Sequence, residues 1–129
     1  MANYMKIKLQ THDELKAVAY VIYQLFGHSV ERADMAAREE MTTAALHLRI
    51  TSMLLGELRK KLARQIINSI AEKPALKLDG PTGLALLAAW YATDTTQLDG
   101  SPLCMAVMNH VADELGKAYA GPVVLQYFL

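Results

Sequence analysis

The sequence predicts a mainly α fold of about four helices with a small two-stranded β-ribbon, and three observations carry that prediction. Ala, Leu and Met dominate a composition that is 53% apolar but only 7% aromatic, and these residues lose little side-chain freedom on entering a helix. Leu46, Ile50, Leu54, Leu58, Leu62, Ile66 and Ile70 recur at an unbroken spacing of four, which only a helix turns into neighbours. Two short stretches, Met5 to Leu9 and Leu76 to Leu78, alternate apolar residues with lysine, the period of two expected of a half-buried strand. Such strands are marginal alone, but paired and backed by helices they form a ribbon whose lysines guard its exposed side.

Taken in order, the first helix is predicted to open at Thr11, whose hydroxyl caps Glu14 in a T-x-x-E box, and to end near Phe26 because Gly27 follows. Leu15, Val18, Ala19, Ile22 and Phe26 form its apolar face, with Lys16 and Gln24 turned away. The longest periodic segment runs from Ser29 or Val30 to Glu72, where Lys73 and Pro74 stop it. A strict spacing of four overshoots each turn by roughly 40°, so its stripe wraps about 240° over six steps and needs different neighbours along its length. Straight, residues 30–72 would span about 64 Å, against a radius of gyration near 14 Å for a compact chain of this size. The helix is therefore expected to break near Thr42 and Thr43, to bend at Gly56, or to project onto a second subunit.

The third helix is predicted after a cap at Asp79 or Thr82 with Pro81 in the first turn, running to about Thr93 with Leu84, Leu87, Ala88 and Tyr91 buried. Ser101 and Pro102 open the last helix, which continues to about Tyr119 before Gly121 and Pro122. Residues 7–22 laid on 76–91 match at Lys8/Lys77, Leu9/Leu78, Leu15/Leu84 and Ala19/Ala88, where about one match is expected by chance. The chain thus reads as a single domain, 1–129, with pseudo-repeated strand-helix-helix halves at 5–72 and 75–119 and an apolar tail at 122–129. Val123, Val124, Tyr127 and Phe128 favour extended structure, so the tail is expected to pack beside the ribbon or in a groove of a second copy.

Thirteen basic residues balance thirteen acidic ones, so no global field draws in nucleic acid or an anionic membrane. Cys104 is the lone cysteine, which rules out an intrachain disulfide and favours a reducing compartment. The amino terminus lacks the apolar core of a signal peptide, and no run is long enough to span a membrane. A soluble cytoplasmic protein is the expectation.

No G-x-S-x-G, G-x-x-x-x-G-K-[ST] or G-x-G-x-x-G pattern occurs, which leaves hydrolase and nucleotide chemistry without the usual scaffold. His110 and Glu114 lie one turn apart with Asp113 nearby, a spacing that can offer two metal ligands, yet di-metal bundles need Glu-x-x-His pairs that are missing here. Glu40 and His47 would share a face of the long helix, but Glu31, Asp34, Glu39 and Glu40 at its start and Arg59, Lys60, Lys61 and Arg64 towards its end also complement a helix dipole. Residues 79–83 and 99–102 bring glycine turns to helix starts, where amides can meet an anion, though ordinary turns have the same form. Cys104 falls in a first helical turn with no base fixed beside it. Methionines 35, 41, 53, 105 and 108 either line an adaptable groove or fill a core. The expectation is no catalytic, metal or cofactor residue.

Residues 44–62, AALHLRITSMLLGELRKKL, resemble the helix-turn-helix unit of small bacterial DNA-binding regulators in their paired alanines, their Thr51 and Ser52 and their basic end. That resemblance implies Thr51, Ser52, Arg59, Lys60, Lys61 and Arg64 as DNA contacts. The competing reading is one continuous amphipathic helix with a solvated basic end. The functional expectation is therefore a non-enzymatic helical module that associates with itself as a homodimer or with another protein, without a membrane, and with nucleic acid as the alternative partner.

Overall fold

A computed structural model describes residues 4–68 and 73–119 of the chain. Its elements follow the order β1 (Tyr4–Lys8), α1 (His12–Arg38), α2 (Thr42–Asn68), β2 (Ala75–Asp79), α3 (Gly80–Ala92), a short 3-10 turn (Thr95–Gln97) and α4 (Pro102–Tyr119). The mainly α fold with a two-stranded ribbon is as expected. β1 and β2 pair antiparallel, with Met5 opposite Leu78, Lys6 opposite Lys77 and Ile7 opposite Leu76. Ile7, Leu76 and Leu78 turn into the core while Lys6, Lys8 and Lys77 stay exposed, the alternation that places one pleated face on helices and the other in water. The amide of Leu9 extends the pairing by donating to the Pro74 carbonyl.

The local signals at helix starts act as their chemistry dictates. Thr11 Oγ1 accepts from the Glu14 amide at 3.2 Å while Glu14 Oε1 accepts from the Gln10 amide at 2.9 Å, so two otherwise orphaned donors at the entry to α1 are satisfied. Asp79 Oδ1 accepts from the Thr82 amide at 2.8 Å and caps α3, with Pro81 in its first turn. That bond, with a second from Thr82 and the nearby charge of Lys61, holds the Asp79 carboxyl below its ordinary value.

The boundary between the two long helices departs from expectation. α1 does not stop at Gly27 but continues to Arg38. A glycine in a helix interior costs about 1 kcal/mol, and burial of Ser29, Ala33 and Ala36 beyond it offsets that penalty. The chain turns instead at Glu39, Glu40 and Met41, just ahead of Thr42. Glu40 adopts φ 59°, its amide bonds the Ala37 carbonyl, and the Met41 amide bonds the Ala36 carbonyl at 2.8 Å. This is a Schellman motif with glutamate where glycine usually stands. The predicted segment from Ser29 or Val30 to Glu72 is thus divided next to the break expected near Thr42 and Thr43, and Glu31 and Asp34 belong to the end of α1, where they cannot complement the start of α2. The turn also separates Glu40 from the helix that carries His47.

One continuous core draws on both strands and all four helices, with Leu15, Val18, Ile22 and Leu25 of α1, Leu55, Leu58 and Leu62 of α2, Leu86 of α3, and Met108, Val111 and Leu115 of α4 among its members. Of the predicted face of α1, Leu15, Val18 and Ile22 are buried and Ala19 and Phe26 partly so, while Ala17, Val21 and Leu25 are buried beside them. The predicted face of α3 is not the observed one: Leu87 is buried, but Leu84, Ala88 and Tyr91 are exposed, and Gly83, Leu86, Ala89 and Trp90 face inward. This helix is apolar on every side, so periodicity could not select a face. Each half of the chain follows the order strand, helix, helix, but with helices of 27 and 27 residues in one and 13 and 18 in the other. Leu15 is in the core where its counterpart Leu84 is exposed, and the repeat has no structural support beyond that order. The tail, and Ile70 at the end of the stripe, lie outside the described residues.

Candidate functional site

α2 carries the features singled out from sequence. It runs without interruption from Thr42 to Asn68, so residues 44–62 do not form the two-helix unit that the helix-turn-helix resemblance implied. Apolar Ala45, Leu48, Leu55, Leu58 and Leu62 make one helical face through the supposed turn at Leu48 and Arg49, and no glycine or proline there interrupts the ladder. The six residues implied as DNA contacts accordingly point in different directions. Thr51 and Ser52 donate back to the carbonyls of His47 and Leu48 at 3.2 and 2.7 Å, and Ser52 is buried. Arg59 lies over the rings of Tyr23 and Phe26, 5.8 and 5.5 Å from their centres. Lys60 meets Glu57 at 3.6 Å. Only Lys61 and Arg64 come together, along the wall of a groove.

That groove, of about 960 Å³, opens between the C-terminal half of α2 and the solvent face of the ribbon, with Leu58 and Leu62 at its wall and Tyr4, Lys6 and Lys77 on the strand side. A second cavity of about 500 Å³ shares Lys6, Gln65, Ala75 and Lys77 with it and adds Lys8 and Lys73. Together they form one trough bearing six cations, with no carboxylate among the described residues that line it. Among the described residues none of these six cations takes part in a salt bridge. Asp79, engaged as the α3 cap, feels the charge of Lys61, and Glu14 shares a small cavity with Lys8. Gln65 fixes the trough's floor by donating to the Ala75 carbonyl at 2.9 Å, tying α2 to β2.

A second feature lies on the other side of α2. Leu46, Ile50 and Met53, spaced by four and three, share one helical face and are 59, 56 and 71% exposed. The wrapped stripe explains why: Leu58 and Leu62, further along the same spacing of four, have rotated into the core, while its first members have rotated out. Met35 and Met41 near the hairpin turn are also exposed, whereas Met108 is in the core and Met105 packs against it. The five methionines therefore do not line one groove.

The remaining candidates stay apart. His110 borders a shallow cavity of about 230 Å³ with Glu14 and Lys8, while Glu114 pairs with Lys117 at 3.6 Å. Among the described residues no three His, Cys, Asp or Glu side chains gather as a metal site would require. Cys104 is buried behind the 99–102 turn, 3.7 Å from Ser101 Oγ. Gly100, at φ 153°, is held to glycine by that thiol, because an added Cβ would fall 3.0 Å from its sulfur. No helix among the described residues is long and apolar enough to cross a membrane.

Sequence reasoning missed the trough because Lys6, Lys8, Lys61, Arg64, Lys73 and Lys77 come from three separate segments. Five of them were visible as guarding lysines or a basic helix end and Lys73 as part of a helix stop, but their convergence was not. No family model, curated protein or solved structure matches the chain.

Proposed function

We propose that the protein is a non-enzymatic self-association module in which the outer face of α2 docks on the same face of a second copy. The observation that carries this reading is the Leu46, Ile50 and Met53 stripe, three large apolar side chains each more than half exposed on one helical face. Contiguous apolar surface of this kind marks association sites. A second copy is the favoured occupant because the charges flanking the stripe are self-complementary. Glu39 and Glu40 lie in the turn just before α2, eleven and ten residues ahead of Ile50, and Lys60 lies ten residues after it, about 15 Å along the α2 axis. An antiparallel, two-fold contact centred on Ile50 sets the acidic turn of one copy beside Lys60 of the other at both ends. Location in the cytoplasm goes with this reading, supported by a lone and buried Cys104.

Sedimentation velocity over a range of concentrations tests it. Wild-type protein is expected as a dimer, Ile50→Glu as a folded monomer, and Lys60→Glu as a weakened dimer restored on mixing with a Glu39→Lys, Glu40→Lys variant. A wild-type chain that stays monomeric at the highest concentration overturns the proposal.

A further inference from the structure

We propose that the basic trough between α2 and the ribbon binds a phosphate chain, specifically the backbone of a single-stranded nucleic acid. The first ground is energetic. Lys6 and Lys77 stand directly opposite each other across the ribbon, and like charges in that position destabilise a sheet. Guarding an exposed strand needs lysines on the ribbon, but it does not call for Lys61 and Arg64 to converge on them from α2 or for Lys73 to join at the far end. In a chain of zero net charge with thirteen basic residues, six gathered along one trough is a strong local field. A bound polyanion turns that repulsion into attraction.

The second ground is shape. The two cavities are continuous through Lys6, Gln65, Ala75 and Lys77, and the strand side from Tyr4 to Gln10 extends about 20 Å. Several successive phosphates fit that length at roughly 3.4 Å or more each. A concave trough can hold a single strand, whereas reading a duplex requires a helix or ribbon that projects into its groove. Tyr4, 60% exposed at the trough's end, supplies a flat face on which one base can stack. This site differs from the one implied by the helix-turn-helix resemblance: of those six residues it uses only Lys61 and Arg64, and it adds four lysines outside residues 44–62.

The test is fluorescence anisotropy of a short labelled oligo(dT) titrated with the full chain at low ionic strength. Binding is expected to weaken with salt, and the slope of log affinity against log salt falls by about 0.7 for each phosphate contact removed. Lys61→Ala combined with Lys77→Ala should weaken binding about tenfold or more. Lys6→Glu is the sharper variant, because it replaces a repulsive cross-strand pair with an attractive one. It should lose binding while its melting temperature holds or rises, an outcome that a purely structural role for Lys6 does not produce. Inorganic polyphosphate should compete with the oligonucleotide. No anisotropy change at low salt, duplex binding as tight as single-strand binding, unchanged affinity in both variants, or stabilisation by polyphosphate without oligonucleotide binding would each overturn the proposal.

Discussion

The base and the tip of the α1–α2 hairpin are built from one pair of helices but held together differently. At the base, Leu15, Val18, Ile22 and Leu25 meet Leu55, Leu58 and Leu62 within the core that α3, α4 and the ribbon complete. At the tip, the buried residues are Ser29, Ala33, Ala36, Ala45 and Ser52, all small, and none belongs to that core. Small side chains let two helices approach closely but remove little apolar area from water, at roughly 25 cal/mol per Å². The exposed Asp34–Arg49 pair at 2.6 Å adds little. Base and tip therefore differ in what a helix pair needs: the base is stabilised by large buried side chains, the tip by close fit, and its large apolar residues are left facing out.

The largest expected effect that tests this contrast is at the base. Leu55→Ala should cost about 2–5 kcal/mol, read as a lower denaturant midpoint, because a fully buried leucine leaves a cavity. At the tip the sensitive direction is the opposite one. Ala33→Leu should cost about 1–3 kcal/mol by overpacking a close approach, with calorimetry as the measurement; a neutral result would mean that the helices are not held by close fit there. Next comes the turn itself, where Glu40→Gly should raise stability by about 1 kcal/mol, since a non-glycine residue at positive φ carries that order of strain. The smallest effect belongs to Gly27, between base and tip. It is exposed, an added Cβ meets nothing within 4 Å, and Gly27→Ala should gain about 0.5–1 kcal/mol in thermal unfolding. Gly56 should behave differently, because there a Cβ would lie 3.1 Å from the Phe26 ring.

By itself the sequence determined what depends on neighbours along the chain. The Thr11 and Asp79 caps, the alternation of the ribbon, the Leu15, Val18 and Ile22 stripe of α1 and the limits of α3 and α4 all follow from spacing and local hydrogen bonding, which are settled within a few residues. Tertiary structure decided the rest, because it weighs local cost against distant burial. Gly27 marks a stop in isolation, yet α1 continues through it to Arg38 and packs Ser29, Ala33 and Ala36 beyond it. The length of the periodic segment called for a break near Thr42, but no composition rule marks Glu40 as the residue that turns, since the Schellman hydrogen bonds can be made by any backbone that accepts positive φ. α3 is apolar all round, so only packing against its neighbours could choose Leu86 and Trp90 over Leu84 and Tyr91. The basic trough is the extreme case: six cations from three segments meet only when antiparallel pairing lays β2 on β1 and Gln65 draws α2 alongside, an arrangement that no linear spacing encodes.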